Sequence, residues 1–287
     1  MTVIVPTLRH ERRLWNDGLV RVAGVDEVGV APTCGAVVAA AVIMRPGCHR
    51  IPGVRDSKTL SMGQRERLAP IIRSRAVAVG VGAASVREID QLNIYHATHL
   101  AMRRAIARLG GHDHVMVDGN RIAGFEHQVG PYTNIVDGDA RVYSIACASV
   151  VAKVVRDRMM TRLAARYPGY GWERNQGYAT KEHRDAIRRL GLTPYHRRSF
   201  LALQRTLAGD QISLDLFDEE VADVAGDQEL GELERLDGIR TRELSPELTP
   251  GLQPFATAFE AEDDAAAAIA AAEALVREPY QASDPIG

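Results

Sequence analysis

Cysteine and aromatic residues are scarce in this chain, with three cysteines and an aromatic fraction of 5% in 287 residues. Cys34, Cys48 and Cys147 form no even framework and no metal-ligand spacing. That excludes a disulfide scaffold and a thiolate zinc site, and makes a reducing cytoplasm the expected compartment. No apolar run reaches the roughly 20 residues needed to span a bilayer. The first 19 residues are charged rather than signal-like, so no membrane partner is expected. Net charge is small as well, at −2 overall. Yet residues 211–287 hold 19 Asp and Glu against 4 Arg, a net of −15, which leaves +13 for residues 1–210. A basic body with an acidic tail predicts a polyanionic partner for the body.

What is present is organised around residues 22–43, VAGVDEVGVAPTCGAVVAAAVI. An apolar lead-in reaches adjacent acids, Asp26 and Glu27, then a loop with Gly29, Pro32 and Gly35, then an apolar run over residues 36–44. The pattern predicts strand, tight loop, strand. Adjacent strand residues point to opposite faces, so the two acids cannot share one core. Acids embedded in apolar sequence are costly to bury unless paired or bound to a cation.

Further along, Ser61 is placed to cap a helix through Leu68 and Ile72, and residues 76–84 alternate as a third strand. Ser85 to Glu88 forms a capping-box pattern that opens helical sequence to about Leu109. Two short strands are expected next, residues 114–120 ending on Asp118 and residues 132–139 ending on Asp137 and Asp139. Residues 144–165 carry apolar side chains at helical spacing, and a further helix is expected over residues 181–190. Strands interleaved with helices predict an α/β fold with its site at the strand ends. Convergent carboxylates on three such ends repel one another and call for hard cations with oxygen ligands. Mg²⁺ or Mn²⁺ held this way suits phosphodiester hydrolysis, with the basic body attracting a nucleic-acid backbone.

Seven collinear blocks over residues 19–205 carry a family resemblance: GVDEVG at 24–29, DSKTLS at 56–61, NIYHAT at 93–98, VDGN at 117–120, GDARVYSIACASVVAKVVRD at 138–157, YPGYGWERNQGYATKEH at 167–183 and HRRSF at 196–200. In these the chain resembles ribonuclease HII, the bacterial type 2 ribonuclease H. The resemblance implies a ribonuclease H-like fold, a mixed five-stranded sheet flanked by helices. It also implies metal-dependent cleavage of the RNA strand of RNA–DNA hybrids, leaving 5′-phosphate and 3′-hydroxyl ends, and incision at ribonucleotides embedded in duplex DNA. The family's catalytic, metal-binding carboxylates fall on Asp26, Glu27, Asp118 and Asp139, with two ions expected once substrate is bound. Its sugar-stacking aromatic falls on Tyr178. Substrate contacts are further expected from Gly29, Val30, Ala31, Lys58, Lys153 and Arg156, although Lys153 can instead pair with Asp157 one turn on.

The chain departs from the family pattern at three places. Gly29-Val30-Ala31 stands where Gly-Arg-Gly is usual, Asp137 where Lys precedes Gly-Asp, and Gln176 where Lys often precedes Gly-Tyr. These changes remove basic or closely fitting groups beside the substrate and predict weakened recognition of single-ribonucleotide junctions. A homologue with weakened turnover and a carboxylate-cluster DNA nuclease are the competing readings.

The expected organisation is a lead-in over residues 1–18, a catalytic domain over residues 19–210 and a largely disordered acidic tail over residues 211–287. At the head of the tail, QISLDLF (Gln211, Leu214, Leu216 and Phe217 within it) resembles the peptide that hooks bacterial proteins onto the replication sliding clamp. The alternative is a segment packed back on the body.

Overall fold

The computed structural model describes residues 5–208; the expected acidic tail and its 211–217 peptide lie outside the described residues. The apolar run after Gly35 forms β2 (Val37–Met44), all of it buried, as a strand covered on both faces must be. Around it lie β1 (Val22–Val28), β3 (Ala76–Ala84), β4 (His114–Asp118) and β5 (Tyr132–Ile135), in the order β3-β2-β1-β4-β5. The β1–β2 and β2–β3 pairs are antiparallel; β1–β4 and β4–β5 are parallel. This is the mixed five-stranded sheet of a ribonuclease H-like fold.

The helices are α1 (Arg9–Asn16), α2 (Met62–Arg75), α3 (Val86–Ala107), α4 (Glu126–Val129), α5 (Gly138–Arg141), α6 (Tyr143–Arg166), α7 (Trp172–Asn175), α8 (Lys181–Leu190) and α9 (Leu201–Ala208). Alternate residues of β2 divide them between two cores. Val38, Ala40, Val42 and Met44 pack with α2 and α6, whereas Val37, Ala39, Ala41 and Ile43 pack with α3. The expected cap at Ser61 forms, and as a full capping box with Gln64 on α2; the expected capping box of Ser85 with Glu88 forms on α3. Inside α3, Asn93 takes a left-handed φ of 65° and its Oδ1 accepts from the His96 N–H (3.1 Å), so the NIYHAT block breaks and re-caps one helix.

Two packing features seat α6 over the acids. Gly24 on β1 lies so close to α6 that a Cβ there would stand 2.3 Å from the Ser144 carbonyl carbon. At the N-terminus of α6 the preceding Val142 offers no side-chain cap. Glu11 of α1 supplies one from a distant segment, its Oε1 accepting from the Ser144 N–H at 2.7 Å. Residues 1–18, expected as a lead-in, therefore include a helix bonded to the body. One strand-end expectation is overturned. β5 stops at Ile135, and Asp139 sits on the single turn α5 instead, after a left-handed Asp137 (φ 53°) that a strand cannot continue through.

Candidate active site

Asp26 and Glu27 lie within β1, just before its end at Val28, and pleating sends them to opposite faces. Asp26 points toward α6 and is buried; its Oδ1 accepts from the Glu27 N–H at 2.8 Å. Asp118 ends the neighbouring parallel strand β4. Its Oδ1 accepts from the Gly138 N–H at 2.6 Å, which ties β4 to the turn bearing Asp139. A Cβ at Gly138 would come 2.8 Å from Ile145 and 3.1 Å from that same carboxylate oxygen, so the turn needs glycine there. Three elements thus deliver Asp26, Asp118 and Asp139, with one carboxylate oxygen of each inside 4.8 Å of the others.

The electrostatics are those of a cluster short of positive charge. Burial first, then Glu27 and Asp118, hold Asp26 well above the usual carboxylate range. Burial and then Asp118 push Glu27 up to about 7. Burial followed by Asp118 brings Asp139 to about 6, and burial raises Asp118 against the pull of the Gly138 N–H and Lys58. Glu27 Oε2 is buried with no hydrogen-bond partner. Hard-cation coordination would meet each of these conditions at once, and octahedral ligand oxygens lie about 3–4 Å apart, a spacing this cluster can reach. The residues present therefore fit a divalent cation.

Lys58, on the 3₁₀ turn Ser57–Thr59, places Nζ 3.7 Å from Asp139 Oδ2 with its side chain 81% exposed. Desolvation pulls its pKa down, but the carboxylates, Asp139 foremost, outweigh that and leave it raised. Behind the turn, Ser57 and Ser149 share a buried hydrogen bond of 2.7 Å that fastens it to α6.

Lys153 and Arg156 do not join this site as expected. Lys153 Nζ bonds Asp157 Oδ1 at 2.7 Å, the i,i+4 pair, and Arg65 of α2 takes the other oxygen at 3.0 Å. Arg156 is fully buried and spends its guanidinium on carbonyls, those of Ala36 (3.2 Å), Cys34 (3.1 Å) and Gln176 (3.0 Å). Gly29, at φ 91°, packs against that guanidinium, with a Cβ there 2.1 Å from Arg156 Nε. Val30 is half-buried against the α3-side core. Ala31 follows it, also half-buried.

Sequence reasoning missed a second anchor. Arg197, wholly buried, donates to the carbonyls of Gly35 (2.8 Å), Val30 (2.7 Å) and Gly29. Burial, then the Arg156 charge, lowers its pKa to about 9, which still leaves it protonated at neutral pH. Two like charges thus sit under one loop, held by carbonyl dipoles. The HRRSF block containing Arg197 was legible as part of the resemblance, but nothing in it shows which way the side chain points.

Tyr178, 44% exposed, leaves the same loop assembly. Thr33 donates its N–H (3.0 Å) and hydroxyl (3.2 Å) to the Gly177 carbonyl beside it. The tyrosine's own carbonyl accepts from a buried histidine pair, also missed from sequence. Trp172 Nε1–H donates to His183 Nε2 (2.9 Å), so His183 carries its proton on Nδ1 and gives it to the Tyr178 carbonyl (2.8 Å). Thr193 N–H donates to His196 Nδ1 (2.9 Å), leaving the His196 Nε2 proton to face His183 at 3.2 Å. Burial lowers both pKa values, His196 to about 3, so both rings stay neutral.

The chain is similar to known proteins over most of its described residues. Residues 23–203 match the family model described as Ribonuclease HII. The ribonuclease HII of Thermosynechococcus vestitus is 54% identical over 197 residues, 68% of this chain and 90% of that one. That of Ruegeria pomeroyi is 51% identical over 205 residues, covering 70% and 85%. Among solved structures, the PCNA:RNase HII complex from Archaeoglobus fulgidus aligns with a TM-score of 0.55 at 26% identity, over 68% of this chain and 98% of that one. The ribonuclease H2 of Pyrococcus horikoshii OT3 gives 0.54 at 25%, over 66% and 98%. With a model match over most of its length and relatives at half identity, the chain belongs to the ribonuclease HII family.

Proposed function

We propose that the metal-dependent endoribonuclease activity of this chain on RNA–DNA hybrids is carried by Asp26, Glu27, Asp118 and Asp139, with Mg²⁺ or Mn²⁺ as the resident ions, two when substrate is bound. The observation that supports this most is the convergence of three buried or half-buried carboxylates from β1, β4 and α5, beside an unpartnered Glu27 oxygen. Bound there, such ions activate water and stabilise the leaving oxygen of a phosphodiester, giving 5′-phosphate and 3′-hydroxyl ends. The protein's own part is to hold the carboxylates close against their repulsion and to keep Lys58 at the rim for a phosphate oxygen. The Gly29–Ala31 backbone, fixed from beneath by Arg156 and Arg197, faces the ribose, and Tyr178 stacks on the following sugar.

Val30 offers no donor where the family has arginine, and Lys153 and Arg156 are already engaged, so single-ribonucleotide junctions in DNA are poorer substrates than long hybrids. Full-length protein assayed in Mg²⁺ and in Mn²⁺ on both substrates tests this. Hybrid cleavage with a lower junction rate is expected, and Tyr178→Ala lowers junction kcat/KM roughly five- to hundred-fold, the range for loss of one aromatic stack. Equal rates on both substrates would remove the junction claim. Failure to cut the hybrid in either metal would favour a weakened homologue, and equal attack on DNA strands a DNA nuclease.

A role in DNA replication and repair, in the cytoplasm, suits this substrate class and three unpaired cysteines. Residues 211–217 are the proposed sliding-clamp peptide, by likeness to clamp-docking sequences. A full-length chain carrying Leu216→Ala and Phe217→Ala is expected to lose clamp binding in a pull-down; undiminished binding overturns the assignment.

A further inference from the structure

A cleft of about 770 Å³ between α1 and the loop after β2 is lined by Arg9, Arg12, Arg13, His49 and Arg50, with Asp17 its one acidic residue. All six side chains belong to exposed residues. Among the described residues, no ion pair joins Arg9, Arg12 or Arg13 to a carboxylate. Arg50 donates to the Pro6 carbonyl at 2.9 Å and Asp17 supplies one negative charge, so the cleft keeps an excess of positive charge.

The cleft is joined to the catalytic centre along two routes. Thr7, at its edge, donates its N–H to the Arg141 carbonyl at 3.0 Å, and Arg141 ends the same turn that carries Asp139. Arg141, Arg9 and Arg13 together depress His10, after burial as the main cause, so they act as one positive field. On the other route the loop runs from His49 and Arg50 past Arg55 to Lys58. It is fastened to α6 at both ends, through Ile51 N–H to the Tyr143 hydroxyl (2.6 Å) and Ser57 to Ser149 (2.7 Å). Those anchors, Tyr143 and Ser149, are six helical steps apart, about 9 Å. Cleft and acids are then on the order of 10–20 Å apart, roughly three to six base pairs of a duplex.

We propose that this cleft is a second contact for the phosphates of the nucleic-acid duplex whose RNA strand is cut at the acids. The reading rests on the proposed function. A spread of arginines in an open cleft, with no buried donor to define a single anion, fits a repeating backbone better than a small ligand. It also supplies affinity in a chain that has valine at position 30.

The test uses the full chain carrying Arg9→Gln, Arg12→Gln and Arg13→Gln, a change that keeps helix propensity and retains Glu11. Binding of a duplex of about 20 base pairs, all-DNA and hybrid, is followed by fluorescence anisotropy across salt concentrations. The expected result is a tenfold or greater loss of affinity for both duplexes, with the slope of log affinity against log salt shallower by about 2–3, near 0.9 per lost phosphate contact. On the hybrid, KM rises while kcat is unchanged. The triple Arg→Lys variant restores affinity, because the charge rather than the shape is read. Wild-type affinity and slope in the glutamine variant would overturn the proposal. So would failure of the lysine variant to rescue, which marks a structural role, and so would tighter binding, which assigns the cleft to the chain's own acidic residues. Because the all-DNA duplex reads the cleft without turnover, a chain that failed to cut hybrids would refute the proposed function separately.

Discussion

Asp26→Asn is expected to lower kcat on an RNA–DNA hybrid about a thousandfold while making the metal-free protein more stable near neutral pH. A cation at the acids contributes several kcal/mol to the transition state, and about 4 kcal/mol corresponds to that factor. The stability effect has the opposite sign because the carboxylates are buried first, and then crowded rather than paired. Glu27 titrates at about 7 in the folded protein and near 4.5 when unfolded. Between those values the folded state holds the extra proton, so stability falls as pH rises through the window, by on the order of 3 kcal/mol for this group. Asn at position 26 removes the burial cost of that carboxylate and its repulsion with Glu27 and Asp118, and Mg²⁺, which binds only the ionised form, reverses the slope. Thermal melts in chelator from about pH 5 to 8, repeated with Mg²⁺, measure both signs. Metal-free stability that is flat or rises with pH would refute the repulsion argument, and wild-type kcat in the variant would remove Asp26 from the chemistry.

Arg197→Met is expected to destabilise the protein by roughly 3 kcal/mol or more and to raise KM for the hybrid at least tenfold. Methionine fills similar space but donates nothing, so the carbonyls of Gly29, Val30 and Gly35 lose their partner in a buried setting. Each unmet buried acceptor costs about 1–3 kcal/mol, offset in part by removing a buried charge close to Arg156. Arg197→Lys keeps the charge but cannot fork to three acceptors, so it recovers only a fraction. Urea denaturation and steady-state kinetics read the two effects. A methionine variant within about 1 kcal/mol of the parent, with unchanged KM, would show that the loop holds its shape without this anchor.

How much of this was legible in sequence depended on how locally each feature is encoded. Ser61 with Gln64 and Ser85 with Glu88 satisfy one another within a turn, so both helix starts could be read directly. The limits of β3 and α8 followed from alternation and helical spacing in the same way. Asp139 was expected at a strand end and sits on the turn α5 instead. An apolar run into YTNIVDGD looks like a longer strand, and only tertiary bonding to Asp118 rewards the left-handed turn at Asp137. Lys153, Arg156 and Arg197 mark the limit more sharply. Motif membership gave their positions, but a cation beside a substrate loop can face the substrate or the loop's own carbonyls, and three-dimensional packing decides between them. The histidine pair was hidden for the same reason, since His183 and His196 meet only through the fold.

Glu11 separates what is recognisable in this family from what folds. The family match begins at residue 23, whereas the cap on α6 comes from residue 11. Glu11 is fully buried and burial raises its pKa, so what it gives this 24-residue helix is a partner for an otherwise uncapped N–H. That helix carries the packing behind Asp26, the Ser149 bond to Ser57 beside Lys58 and the Arg156 anchor. A fragment trimmed to the matched residues would keep every carboxylate proposed as catalytic and still lose the cap on the helix packed behind them. The natural unit for engineering, grafting or shortening this protein therefore starts upstream of the first strand.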